Sequence, residues 1–372
     1  MSGGPAGAGW DWLVEQARDA RFTLIGEEHG VAETAQFAAA LFKALRSSGY
    51  NRVAIELSPP IAEDIEDAAR RDGIQGILNF FARPNTWSPM YMRDEAEFIM
   101  DVIDAAPKDE RVLWGLDREI FSDRYLISRL EAKAPQRARP ALTRLKEAST
   151  SAWAKYERTK NPDDMFILAE NPAVVAAVRA AWTNPDRQSD AIMRTLEESL
   201  AIETAERTGG AWPYFQRRTQ WMRKNFAERL REEKRGSPKV MMKFGYNHMI
   251  RGANYVNGFD VGTMADEVAA LTGDRAFHVI VLPGPGSRQA VLGPGRSFVS
   301  ISSDEFDDFR AGDDRLTRVL PNPNATGHEV IDLRALRPLA GRAIGGWNPD
   351  VVKTIHGFDA AVIWKAALAS SA

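Results

Sequence analysis

The chain of 372 residues has room for one large domain or two ordinary ones, and its 44% hydrophobic and 27% charged residues are the balance of a soluble globular protein. A net charge of −3 excludes a broad electrostatic pull toward nucleic acid or an anionic membrane, so a small-molecule substrate is the expected partner. The absence of cysteine excludes disulfides, thiolate metal sites and cysteine nucleophiles, and is compatible with a reducing cytoplasm, the expected location.

The opening MSGGPAGAGW lacks the basic and apolar regions of a secretory signal and reads as a loose glycine-rich tail. No apolar run is long enough to span a bilayer. Strands are expected at 22–26 (FTLIG), 52–57, 111–116, 239–244 and 277–283, with a late one at 359–364. Continuous apolar runs of this kind suit central parallel strands covered on both faces. Helical patterns separate them at 31–48, where Phe37, Leu41 and Leu45 recur at helical spacing, and at 60–72 and 93–106. The alternation predicts an α/β fold with a mainly parallel central sheet flanked by helices.

Residues 121–235 are charged and alanine-rich, with Leu and Trp at helical spacing and no strand pattern. They predict an all-helical insertion between the third and fourth strands, punctuated by Pro135, Pro140, Pro162, Pro172 and Pro185. Its last helix is expected over 212–234, opening at Trp212-Pro213 and stopping before Gly236-Ser237-Pro238. The expected organisation is a core of residues 10–120 and 236–372, with 121–235 covering the site. Residues 284–303 predict a hairpin turning at Gly293-Pro294-Gly295, and 304–355 read as irregular surface loops or a lid.

In an open parallel sheet, ligands bind outside the carboxyl ends of the strands. The first expected strand ends in Glu27, Glu28 and His29, the second carries Glu56, and the third ends in Asp117 and Arg118. The fourth runs into Tyr246, Asn247 and His248, with Arg251 beyond. Ionisable groups thus gather at one rim. A neutral imidazole there can take a proton from water near neutral pH, and a neighbouring carboxylate fixes its tautomer and raises its basicity. Arg251 or Arg218 could meet a developing oxyanion. Glu27, His29, Glu56 and His248 are equally a set of divalent-metal ligands, and residue type alone does not separate the two readings.

His278, inside an apolar strand, reads as structural, and His328 and His356 lie in the irregular region. Phe215, Trp221, Met222 and Phe226 read as the core face of the last inserted helix. The chain holds no G-x-S-x-G elbow, no Walker A sequence and no H-E-x-x-H, and GPGSRQAVLGPG is a poor dinucleotide fingerprint.

The ordered set IGEEHG, VAIELS, GLDREIF, RRTQWMRKNF and KVMMKFGYNHMIRG, spanning about residues 22–260, resembles the erythromycin esterase-like family. That family lies in a wider superfamily with ChaN-like haem-binding proteins and Tiki-type metalloproteases. The resemblance implies hydrolysis of an ester or lactone by water, without a covalent serine step and without a metal. It implies His29 as base with Glu27 or Glu28 as its partner, Glu56 from the second strand, His248 after the fourth, and Arg218 as the arginine of the family's Arg-Asp-x-x-Met helix, with Met222 in place and Thr219 where that motif has aspartate. Asn247, Asp117 and Arg251 complete the expected substrate-binding set. The family's first motif reads Gly-Glu-x-x-His-Gly, and Gly26-Glu27-Glu28-His29-Gly30 is one residue shorter, which leaves the partner of His29 open. Two alternatives accompany the leading reading: a metal-dependent hydrolase or peptidase using the Glu/His set, and a non-catalytic binder of haem or another large ligand.

Overall fold

The computed structural model describes residues 5–83, 86, 90, 92–233, 236–283, 287–289, 300–302, 327–340, 349–364 and 368. The apolar runs form strands β1 (Phe22–Glu27), β2 (Tyr50–Ile55), β3 (Leu113–Gly115), β4 (Lys239–Gly245) and β5 (Ala276–Leu282). All six residues of β1 are buried, as expected for a strand flanked on both edges and covered on both faces. Two short strands, β6 (Ser287–Gln289) and β7 (Ser300–Ser302), pair antiparallel where the hairpin is predicted. The predicted turn lies outside the described residues. Strands β8 (His328–Asp332) and β9 (Ala360–Trp364) complete a seven-stranded sheet of order β3-β2-β4-β1-β5-β9-β8, parallel except for β8.

Two expectations need correction. The last residues of the supposed tail open helix α1 (Ala8–Arg18), whose Trp10 and Trp12 rings meet Phe37 and Phe277 edge-on. Gly9 and Ala8 mask an amphipathic turn that tryptophan burial stabilises. The stretch 304–355 is not all irregular: it contributes the antiparallel strand β8 and the helix Pro349–Gly357.

Helices α2 (Ala32–Leu45), α3 (Pro59–Phe81) and α4 (Arg93–Asp104) follow β1 and β2. One face of the sheet, including Ile25, Val53, Met241 and Val279, packs against their apolar sides. Between β3 and β4 the described residues form α5 (Asp123–Lys133), α6 (Arg139–Thr159), α7 (Phe166–Ala169), α8 (Ala173–Ala181), α9 (Arg187–Gly209) and α10 (Ala211–Glu232). Proline marks several of their starts: Pro140 sits in the first turn of α6, Pro172 caps α8 and Pro213 lies in the first turn of α10. The opposite sheet face, including Phe22, Leu24, Met242 and Phe244, packs against Met222 and Phe226 of α10. The same face meets the helix α12 (Val261–Leu271), which follows the single turn α11 (Tyr246–Met249). Phe226 stacks edge-on against Phe22 at 5.5 Å, so α10 is fixed directly over the sheet. No helix among the described residues is long and apolar enough to cross a membrane.

Candidate active site

Three adjacent strands define the site. β2, β4 and β1 lie side by side, and Glu27 at the end of β1 is level with Gly245 at the end of β4. Glu56 follows β2 directly. Strands two apart in a sheet are separated by about 10 Å, roughly twice the interstrand spacing. The residue between the two carboxylates is Gly245, and its lack of a side chain leaves a slot. A Cβ there would lie 3.3 Å from His29 Nε2 and 3.5 Å from Glu56 Oε2, so the imidazole fills the slot the glycine leaves. Gly30, at φ 86°, turns the chain from His29 into α2, a conformation that glycine adopts without strain.

His29 Nδ1 is 3.0 Å from Glu27 Oε1, and its Nε2 is 3.4 Å from Glu56 Oε2. The carboxylate at Nδ1 is therefore that of Glu27. Glu28 is half-buried on the neighbouring residue. The Gly245 N–H donates to Glu56 Oε2 at 2.8 Å, and Arg218 Nη2 donates to Glu56 Oε1 at 2.7 Å. Arg218 reaches in from α10 and also donates from Nε and Nη2 to the two Asp117 oxygens, at 3.0 and 2.6 Å. Behind it, Trp221 Nε1 and Asn225 donate to the carbonyls of Asp117 and Leu116, which fixes α10 against the end of β3. His248 completes the group: its Nε2 lies 3.6 Å from Glu56 Oε1 and its Nδ1 lies 2.8 Å from Asp260 Oδ2.

The charges alternate along this chain, and burial makes their coupling strong. Burial alone would discharge His29, but Glu56 and Glu27 more than offset it and hold its pKa well above the usual imidazole value. Burial also opposes ionisation of Glu56, yet His248, His29 and Arg218 hold it well below the usual carboxylate range. Glu27 is lowered against burial by Lys243 and His29, and Asp117 against burial by Arg218 and Arg118. Arg218 stays charged although buried, because Asp117, Tyr214 and Glu56 surround it. The side chain of His29 is 27% exposed while those of Glu56, Arg218 and His248 are 11%, 12% and 6% exposed, so solvent meets the cluster chiefly at His29.

Of the residues anticipated from sequence, Glu27, His29, Glu56, His248, Arg218 and Asp117 come together. Arg251 and Asn247 do not join them. Arg251 is taken up by Asp359, at 2.9 and 3.1 Å, and by Asp266 at 3.1 Å, beside the buried His278. Asn247 Oδ1 accepts the Tyr255 N–H and so shapes the loop after α11. His278 is structural, with Nδ1 2.7 Å from the Met249 carbonyl, and His356 is exposed. Sequence reasoning missed Asp260, Lys243 and Glu95. Lys243 Nζ donates to Glu27 Oε1 at 2.7 Å and to both Glu95 oxygens at 2.8 and 2.9 Å. A lone lysine within VMMKFG was the available signal for it.

No three His, Asp or Glu side chains among the described residues are arranged to hold an ion. Arg218 bonds Glu56 Oε1 and Lys243 bonds Glu27 Oε1, while Glu27 Oε2 is buried with no hydrogen-bond partner among the described residues.

The architecture is that of an α/β protein with a mainly parallel seven-stranded sheet flanked by helices. No family model matches the chain, and no curated protein matches its sequence. Solved structures do match. A Bacillus cereus protein aligns with a TM-score of 0.60 at 14% identity, over 99% of this chain and 94% of its own. A mutant of erythromycin esterase EreC in its open conformation aligns at 0.60 and 15% identity, over 98% of this chain and 94% of its own. A succinoglycan biosynthesis protein aligns at 0.58 and 12% identity, over 99% and 94%. At these identities the likeness establishes the fold and leaves the activity to the chemistry of the site.

Proposed function

We propose that the chain is a hydrolase that cleaves an ester or lactone of a bulky organic substrate with water activated at His29. The observation that carries this reading is the imidazole held between Glu27 and Glu56, with the Arg218 guanidinium braced on the same Glu56. Nδ1–H donates to Glu27 and fixes the tautomer, so Nε2 is the nitrogen that takes the proton. A water at the exposed edge of His29 loses its proton to Nε2 as its oxygen attacks the carbonyl carbon. Glu56 and Glu27 stabilise the imidazolium formed. Arg218 Nη1 bonds none of the described residues and is the donor left to meet the oxyanion of the tetrahedral intermediate. His248, oriented by Asp260, faces Glu56 Oε1 through Nε2. The imidazolium then returns its proton to the leaving alkoxide. Trp212, half exposed, and Phe215, one turn from Arg218 on α10, offer apolar surface for a bulky substrate.

This mechanism has a pH signature. The base is the neutral imidazole, and its carboxylate neighbours hold the pKa well above the usual value near 6.5. kcat/KM on a cleaved ester therefore rises with pH beyond neutrality, along a limb of slope one on a log scale. A rate that falls steadily from pH 6 to pH 9 contradicts His29 as the base.

A further inference from the structure

We propose that Lys243, clamped by Glu95, is a positioning residue for the proposed hydrolysis: it holds Glu27 Oε1 against His29 Nδ1 and takes up part of that oxygen's charge. This rests on the reading of His29 as the base.

The evidence is geometric. Lys243 lies in the middle of the sheet, fully buried, level with Ile25 on β1 and Ile55 on β2. A buried ammonium is unfavourable unless it is fully paired. One carboxylate would neutralise its charge, yet two converge on Nζ, from Glu27 on β1 and Glu95 in the first turn of α4, and between them they accept three bonds. The Phe98 ring, one turn further along α4, lies 5.3 Å from Nζ and walls off water. Lys243 and His29 both bond the same oxygen, Glu27 Oε1. The rotamer of Glu27 is thereby set from behind by a group that cannot move.

The charge count gives the arrangement a consequence. Glu27, Glu95, Lys243 and His29 form a neutral set when His29 is protonated, and the set carries one negative charge when His29 gives up its proton. Glu56, which also lies against the ring, is paired with Arg218, which in turn bonds Asp117, and His248 Nε2 lies against the far oxygen of Glu56. Burial alone would discharge Lys243, but Glu27 and Glu95 keep it above the usual lysine value. Removing the lysine leaves two buried carboxylates against one imidazole, which then holds its proton more tightly. Removing the Glu95 charge does the opposite.

The test is a titration of the His29 ring by NMR in the full chain, which contains only five histidines, with His29→Gln assigning the signal. Lys243→Met is expected to move the His29 midpoint up by about one pH unit or more, and Glu95→Gln to move it down by a similar amount. The double variant is expected to return close to wild type. Shifts of the same sign in both single variants, or no shift in either, overturn the proposal, since a purely packing role changes Tm without opposite displacements. The Glu95→Gln arm decides by itself where Lys243→Met does not fold. The titration needs no substrate, so a chain that cleaves no ester while showing opposite shifts sinks the hydrolase reading and leaves standing only the coupling of Lys243 and Glu95 to His29.

Discussion

Arg218→Met removes the cation on which the cluster is built. Arg218 is almost buried, and three of its bonds, at 2.6, 2.7 and 3.0 Å, go to Asp117 and Glu56. Methionine fills much of the space but leaves both carboxylates unneutralised. Breaking a buried charge pair from one side costs about 3–5 kcal/mol. With an unfolding entropy of ~2 cal/mol/K per residue, a chain of 372 residues then loses about 4–7 °C of Tm. The loss depends on pH in a defined sense. Glu56 and Asp117 sit below their usual range in the folded wild type. Their stabilisation is present above the unfolded pKa, about 4, and is lost as pH falls through the depressed folded values. In the variant that depression disappears, so the gap in Tm is full at pH 7 and narrows as pH falls below about 4, for example to about pH 3. Differential scanning calorimetry at the two pH values reads both quantities. Arg218→Lys, which keeps the charge but not the fork, is expected to fall between the two proteins. A variant within 1 °C of wild type at pH 7, or an equal loss at both pH values, refutes this account of the cluster.

Gly245→Ala places a Cβ 3.3 Å from His29 Nε2, and is expected to lower ester turnover at least about tenfold with Tm nearly unchanged, as judged by parallel kinetics and melting. Asp123 is buried at the start of α5, accepts from Ser149 Oγ and Trp153 Nε1, and is pushed up to about 6 by its burial. A carboxyl raised above its unfolded pKa stabilises fully below that unfolded value, and this is lost as pH rises through the folded one. Urea melts should therefore show wild type losing on the order of 3 kcal/mol between about pH 4 and pH 7 relative to Asp123→Asn. Parallel pH profiles for the two proteins would dispose of that assignment. Because Arg218 already neutralises Glu56 and Lys243 neutralises Glu27, treatment with a chelator is expected to leave both turnover and Tm unchanged. Restoration of lost activity by an added divalent ion would contradict the charge assignment at Glu27 and Glu56.

The rim was legible because strands announce their ends. FTLIG and RVAIEL are apolar runs broken by carboxylates, and in a parallel sheet such breaks fall on the carboxyl side. Glu27, Glu56 and His248 could be placed together on that basis alone. What stayed hidden depends on three-dimensional pairing. Lys243 looks like an interruption of a strand until Glu95, 148 residues away in sequence, is seen to meet it. Glu95 itself reads as an acid favoured by a helix start. Arg251 was placed at the rim because it follows His248 by three residues, but the chain turns back at Ile250 and delivers its guanidinium to Asp359. Helix α1 and strand β8 were missed for a similar reason. A glycine-rich lead and a polar, charged strand carry weak local signals, and tertiary burial of Trp10 and pairing with β9 decide them.

The most direct test of the central claim is a panel of ester, lactone and amide substrates assayed with wild type and His29→Ala side by side, with circular dichroism to establish that both are folded. The expected result is turnover of at least one ester or lactone by wild type and its loss by about a hundredfold or more in the variant. Wild-type-like turnover by folded His29→Ala would contradict a catalytic role for the imidazole between Glu27 and Glu56.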